Sequence, residues 1–181
     1  MGIGEHQPIL INLGRLGTEK NLEELLNYFS YALDENKNLV FLIVGDGPAK
    51  PQLEKLSEML GISDHVIFTG MAAPEEVQEY YQLGDVFVSA STSETQGLTY
   101  IEAANGLPLL CRQDLCLKDV IVQGENGYEY TNVAEFLDGI ENIIKNPDWR
   151  KKAGRRSMVI ASAYDKHTFG DAIEKVYNSV L

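Results

Sequence analysis

The sequence predicts an α/β domain built on one doubly wound parallel sheet, with helices on both faces and a helical C-terminal end. Short apolar runs without polar alternation recur along the first two thirds of the chain, as expected for strands buried on both faces. Amphipathic segments with helical spacing separate these runs, so strand and helix alternate. The 181 residues, 44% of them hydrophobic and 23% charged, can bury one sizeable core.

The first strand is expected at residues 9–13, ILINL, which end at Gly14. Between residues 22 and 33, leucines and Phe29 recur at helical spacing, which predicts the first helix. The second strand, 39–44, ends at Gly45-Asp46-Gly47-Pro48. The alternation then continues with a helix at 50–60, a strand at 66–69, a helix at 74–83, a strand at 86–89, a helix at 97–105 and a strand at 108–111.

The pattern changes beyond residue 112. A turn at 124–127 leads to a short edge strand at 128–130. Helices are then expected at 133–145, 147–163 and 168–180. We therefore expect one domain at 9–181, preceded by a tail, residues 1–8, whose sequence is expected to be partly non-native.

The amino-acid composition excludes several classes of binding partner. With 27 acidic against 15 basic residues the net charge is -12, which repels nucleic acid and disfavours anionic membrane surfaces for this stretch of chain. The chain has neither an apolar run long enough for a membrane span nor a signal-peptide start, which predicts a cytoplasmic segment. Cys111 and Cys116 have no nearby histidine and are expected to be reduced thiols. Because Asp-x-Asp is also missing, we expect no metal site and no cofactor.

Ligands of such sheets bind at the carboxyl ends of the strands, so the residues just after each strand carry the information. The segment from Ser93 to Ala103 runs from a loop into a helix, with Gly97, Leu98 and Thr99 in the first turn. Free backbone N–H groups there form an anion site suited to phosphate. Glu94 and Glu102 flank this site and could accept hydrogen bonds from sugar hydroxyls. The alternative is a pair of solvated surface carboxylates.

Arg15 and Lys20 follow the first strand and would supply the positive field that a diphosphate requires. Their alternative is ordinary surface charge, with Lys20 paired to Glu19 or Glu23. Gly45-Asp46-Gly47-Pro48 is either a tight turn alone or a place where the backbone approaches a ligand.

Five basic residues fall within seven positions near the C-terminal end. They are Arg150, Lys151, Lys152, Arg155 and Arg156. A solvated helix face is favoured over a patch for anionic lipid.

These motifs together resemble the C-terminal domain of family 4 retaining glycosyltransferases of GT-B architecture, which have a Rossmann-like fold. The resemblance runs from about residue 9 to the end of the chain. Its ordered parts are Gly14-Arg15-Leu16 with Glu19-Lys20-Asn21, Gly45 to Pro48, Val66 to Gly70, and Glu94 to Glu102 followed by Ala103, Gly106 and Pro108.

The resemblance implies that Arg15 and Lys20 bind the diphosphate of a nucleotide-sugar donor, with Gly97, Leu98 and Thr99 at the same group. It implies that Glu102 holds the ribose and that Glu94 holds the sugar. Gly70 and Met71 would line the base pocket. The loop Glu94-Thr95-Gln96-Gly97 is similar to that of bacterial diacylglycerol glucosyltransferases, since Gln96 replaces the usual Phe.

The resemblance also implies an acceptor site on an N-terminal domain outside this sequence, so that the isolated domain would be inactive. The expected donor is a UDP-sugar, the sugar glucose, and the acceptor a diacylglycerol-type lipid at the inner face of the cell membrane. Alternatives are a glycosyltransferase of polysaccharide or glycoprotein glycan assembly, a sugar-nucleotide 2-epimerase, and a non-enzymatic binding module.

Overall fold

In the computed structural model, residues 3–4, 7–92 and 97–164 are described, and they form a single six-stranded parallel sheet between two layers of helices. The strand order is β3-β2-β1-β4-β5-β6, which confirms the doubly wound arrangement. The strands are β1 (Ile9–Leu13), β2 (Val40–Val44), β3 (Val66–Gly70), β4 (Val86–Ser89), β5 (Leu109–Arg112) and β6 (Gly127–Tyr130).

The central strands are apolar because both of their faces are covered. Every residue of β2 and of β4 is buried, whereas β3 at one edge of the sheet is mostly half-buried. β1 pairs with β2 from Ile9 opposite Val40 to Leu13 opposite Val44. Between β2 and β3 the register shifts, because Phe68 lies opposite Ile43 but Gly70 lies opposite Val44, so that Thr69 is an extra residue.

Two hydrophobic clusters fill the space between the sheet and its helices. The helices are α1 (Leu22–Glu35), α2 (Lys50–Met59), α3 (Val77–Leu83), α4 (Leu98–Ala103), α5 (Val133–Lys145) and α6 (Pro147–Ala161). One cluster contains Leu10, Ile43 and Val88 and is covered by α1, α2 and α5. The other contains Ile11, Leu42 and Phe87 and is covered by α3, α4 and α6.

Three predicted helices differ from the structure at their ends. α3 begins at Val77, not at residue 74, because the preceding residues form a turn in which the Glu76 carboxylate accepts the N–H of Ala73. α4 is confined to 98–103 because Gly97 before it is left-handed (φ 61°) and a turn follows it. α6 ends at Ala161, not at residue 163, and is followed by a short 3-10 helix, Ser162–Tyr164. The helix predicted at 168–180 lies outside the described residues.

The predicted edge strand is confirmed, and β6 pairs in parallel with β5. The strand order reverses direction between β1 and β4, where their loops diverge to opposite sides. The loops after β1 and β4, of which residues 14–21 and 90–92 are described, therefore flank a crevice at the ligand edge of the sheet. In the part of the chain that the structure describes, no helix has the length and apolar character needed to cross a bilayer.

Candidate functional site

A cavity of about 570 Å³ opens at the carboxyl ends of the first strands. Loops after β1, β2 and β3 all contribute to it, as expected for a ligand site of a doubly wound sheet. Its walls are mainly apolar, and the Arg15 guanidinium is its cationic group among the described residues. The lining comprises Leu13, Gly14, Arg15, Val44, Gly45, Asp46, Gly47, Met71, Ala72 and Val77.

Arg15 is held in place by its neighbour. Leu16 is fully buried, its backbone N–H donates to the Asp46 carbonyl at 2.9 Å, and its carbonyl accepts from Ala49 at 3.0 Å. Since Leu16 points into the core, Arg15 remains exposed at the cavity. The loop after β1 is thus attached to the loop after β2.

Glycine at position 45 is required by this attachment. Gly45 has φ 138°, and a Cβ there would lie 1.9 Å from the Gly14 carbonyl oxygen. Its N–H donates to the Gly70 carbonyl at 2.8 Å, which brings the end of β3 to the same place. The Gly45-Asp46-Gly47-Pro48 loop is therefore more than a strand-to-helix turn, because its backbone forms part of the cavity wall.

Lys20 lies at the end of a 3-10 helix, Thr18–Lys20, in the loop after β1. It is half-buried. On one side of it, the Glu19 carbonyl accepts the N–H of Thr92 at 3.4 Å, which links the loops after β1 and β4. On the other side, Asn21 adopts a left-handed conformation (φ 50°) that leads into α1.

The start of α4 lies on the β4 side of the crevice. The N–H groups of Tyr100 and Ile101 both donate to the Gly97 carbonyl. The first helical residues, Leu98 and Thr99, precede the intrahelical ladder, so their N–H groups have no partner within the helix. Leu98 is 62% exposed, which keeps this end of the helix open.

Glu102 is exposed on the second turn of α4, close to the buried Tyr81 of α3. Burial raises the pKa of the Tyr81 phenol, and the neighbouring Glu102 carboxylate raises that pKa further. Among the described residues, no group lies in hydrogen-bonding geometry with the Tyr81 hydroxyl.

The structure brings some of the predicted residues into one cavity. Arg15 and Met71 line it, and Gly70 directly precedes Met71. Among the described residues, its lining does not extend to Lys20, Gly97, Leu98, Thr99 or Glu102, which lie in the loop after β1 or on the β4 side. Glu94, Thr95 and Gln96 lie outside the described residues.

Sequence reasoning missed the apolar walls. Leu13 and Val44 are the last residues of β1 and β2, and Ala72 and Val77 follow β3. The position of these four residues at or just after strand ends is the sequence signal that could have identified them as part of the cavity wall. Within 3–4, 7–92 and 97–164, no group of three His, Cys, Asp or Glu side chains could hold a metal ion.

The basic cluster of α6 is partly neutralised by ion pairs. Arg150 pairs with Asp85 at 3.2 Å, and Arg156 pairs with Glu125 at 3.0 Å. Exposed basic residues between them are Lys151, Lys152 and Arg155. Met158 and Val159, one turn further on, are 52% and 61% exposed.

Comparison with known proteins adds the following. The family model of "Glycosyl transferases group 1" matches residues 1–158. An alpha-monoglucosyldiacylglycerol synthase from Acholeplasma laidlawii is 33% identical over 182 residues, covering 100% of this chain and 46% of that protein. A protein of the same name from Streptococcus pneumoniae is 35% identical over 179 residues, covering 98% of this chain and 40% of that protein. This chain thus spans less than half the length of these two relatives.

Among solved structures, the pneumococcal O-GlcNAc transferase GtfA in complex with UDP and GlcNAc superposes with a TM-score of 0.81. The two sequences are 24% identical, and the match covers 99% of this chain and 37% of that one. At this identity the likeness concerns the fold, and it confirms the predicted Rossmann-like architecture.

Proposed function

Because the chain belongs to the family of glycosyl transferases group 1, we propose that it is the donor-binding domain of a retaining hexosyltransferase. The enzyme moves a hexose from a nucleotide diphosphate sugar to an acceptor hydroxyl. The observation that carries this proposal is the cavity at the strand ends, where an apolar chamber meets the Arg15 guanidinium. An apolar wall suits a nucleotide base and a cation suits a diphosphate, as a nucleotide-sugar site requires.

The donor lies along the ligand edge of the sheet. The base occupies the cavity beside Gly70 and Met71, and Arg15 and Lys20 bind the diphosphate together with the backbone of Gly97 and Leu98. The remaining groups are assigned from the resemblance: Thr99 at the diphosphate, Glu102 at the ribose and Glu94 at the sugar, with Thr95 and Gln96 as further residues that bind the nucleotide sugar. The uracil base is supported by the UDP in the structurally similar transferase.

The hexose is glucose and the acceptor is a diacylglycerol-type lipid. The names of the two relatives support this assignment, since both are monoglucosyldiacylglycerol synthases. The acceptor site is proposed on a further domain, because this chain corresponds to 46% and 40% of those relatives. The isolated domain therefore binds the donor and transfers nothing.

Catalysis follows from charge development. As the glycosidic bond breaks, negative charge grows on the departing diphosphate, and preorganised donors at Arg15, Lys20 and the start of α4 stabilise it. Loss of one such donor typically costs about 2.7–4 kcal/mol in the barrier. Glu94 positions the sugar. In this proposal the domain needs neither a metal ion nor a cofactor, because cationic side chains neutralise the leaving group.

The longer protein acts at the inner face of the cell membrane as a peripheral protein. The local candidate for contact is the α6 face formed by Lys151, Lys152 and Arg155 with the exposed Met158 and Val159, whose charge complements anionic lipid. Co-sedimentation of this chain with phosphatidylglycerol vesicles, but not with phosphatidylcholine vesicles, is expected at low salt. Equal recovery of the chain with the two kinds of vesicle would exclude this face as a contact for anionic lipid.

Titration of the 181-residue chain with UDP-glucose, followed by NMR, tests the donor site. Shifts are expected at the amides of residues 14–20, 45–47, 70–72 and 97–99. A matched titration with glucose alone should leave these signals in place. An unperturbed spectrum at millimolar UDP-glucose would contradict the proposed function.

A further inference from the structure

The turn that follows Lys20 has an unusual backbone. Asn21 ends the 3-10 helix and also begins α1, with φ 50° and ψ 37°. Among the described residues it is the one non-glycine residue with positive φ. Asparagine tolerates this conformation better than most residues, yet some contact must keep it there.

That contact is the carboxylate of Glu24. The side-chain amide of Asn21 donates to Glu24 Oε2 at 3.1 Å, and the Glu24 N–H donates to the Asn21 carbonyl at 3.1 Å. Arg112, the last residue of β5, donates from Nη1 to the same Oε2 at 2.6 Å. One carboxylate oxygen therefore joins the turn after Lys20 to a strand on the far side of the crevice.

The carboxylate that makes these contacts is largely shielded from water. The Glu24 side chain is 17% exposed and that of Arg112 is 32% exposed. Because a partly shielded ion pair contributes more than a fully exposed one, this contact can hold the turn in place.

Lys20 lies between two attachment points. Glu19 is bonded to Thr92 in the loop after β4, and Asn21 is bonded through Glu24 to β5. Arg15, by contrast, is fixed through Leu16 to the loop after β2. The two cations of the site are thus located by opposite halves of the sheet.

We infer that Glu24 and Arg112 are positioning residues, which fix the turn at Asn21 and so place Lys20 opposite the diphosphate. This inference rests on the proposed function, in which Lys20 binds that group. In this assignment neither residue binds the donor directly, and neither is among the residues that line the cavity. Their loss should therefore weaken recognition of the terminal phosphate and leave recognition of the base intact.

The test compares UDP and UMP as probes of the 181-residue chain, with affinities from NMR titration. In Arg112→Ala, the affinity for UDP is expected to fall about tenfold and that for UMP less than about twofold. Asn21→Gly should behave alike and should fold, because glycine adopts the left-handed turn without strain. Arg150→Ala, which removes an ion pair of similar exposure, is the matched control and should change neither affinity.

A double-mutant cycle provides the second readout. If Arg112 acts through Lys20, then Arg112→Ala causes no further loss of UDP affinity in a Lys20→Ala background. Equal weakening of UDP and UMP, or additive losses, would overturn the inference while leaving the donor site in place. If the unsubstituted chain does not bind UDP, the proposed donor site is wrong. If it binds UDP and Lys20→Ala binds UDP equally well, the assignment of Lys20 is wrong.

Discussion

Arg150 of α6 forms an ion pair with Asp85, with 3.2 Å between Nη2 and Oδ1. The second oxygen of the Asp85 carboxylate accepts the backbone N–H of Ile9 at 2.9 Å. Both charged side chains are only about a quarter exposed. One carboxylate thus connects the residue before β4, the start of β1 and α6, so Arg150 contributes to the fold.

The first prediction concerns stability. Arg150→Ala is expected to lower the free energy of unfolding by about 1–3 kcal/mol, because it leaves a shielded carboxylate without its charged partner. Lys151→Ala, which removes an exposed charge from the same helix, should change it by less than about 0.5 kcal/mol. Denaturant unfolding measures both, and equal effects would contradict the structural role of Arg150.

The second prediction concerns the donor site. Lys20→Ala should weaken binding of UDP at least about tenfold, since a hydrogen bond to a charged group contributes about 1.5–3 kcal/mol. Lys55→Ala, at an exposed position of α2, removes the same charge from the domain and should leave the affinity unchanged. Calorimetric or NMR titration decides, and a similar loss in both variants would point to net charge as the cause.

The third prediction concerns the backbone of the cavity wall. Gly45→Ala combines a left-handed φ with a clash against the Gly14 carbonyl, so we expect a loss of about 3 kcal/mol or more of unfolding free energy. Gly61→Ala is the control, because its φ is also positive but nothing lies within 4 Å of the added Cβ. Its loss should be about 1–2 kcal/mol. Similar losses of unfolding free energy in the two variants would show that the loops after β1 and β2 can move apart to accept the added methyl group.

The fourth prediction concerns alkaline pH. Burial raises the pKa of Tyr81 in the folded protein above its ordinary value of 10.0, so above about pH 10 the unfolded chain loses this proton while the folded chain keeps it. Stability from this group is complete below pH 10 and declines as the pH rises further. Tyr81→Phe should therefore lose less stability between pH 9 and pH 11 than the unsubstituted chain. Tyr31→Phe, at a residue 54% exposed, should follow the unsubstituted chain.

Much of this architecture could be predicted from the sequence because local patterns determine it. The unbroken apolar run of β2 required burial on two faces, and the glycines at its end required a loop. The placement of Arg15 at the ligand edge followed from its position directly after β1. These are properties of residues near one another in the chain.

Other features depend on residues that are distant in sequence. Glu24 and Arg112 are 88 positions apart, and nothing near either one signals their contact. The ion pair between Asp85 and Arg150 likewise cannot be predicted from residues near either one. In sequence the basic residues of α6 therefore all look like solvent-exposed charges, although Arg150 is paired in the fold. The helix α4 was predicted, but its short length was not, because its ends depend on the left-handed Gly97 and on the turn after Ala103.

The extra residue in β3 has a consequence for how this pocket can vary. Thr69 is the extra residue in the pairing with β2, and β3 ends one residue later at Gly70, which has φ 80°. Thr69 therefore sets how far β3 extends before the chain turns into the segment that carries Met71. Deleting Thr69 would keep every core residue of β2 and yet draw Gly70 and Met71 back by roughly 3.3 Å, the rise of one strand residue. The length of this strand, as much as its residue identities, sets which groups a bound base would meet.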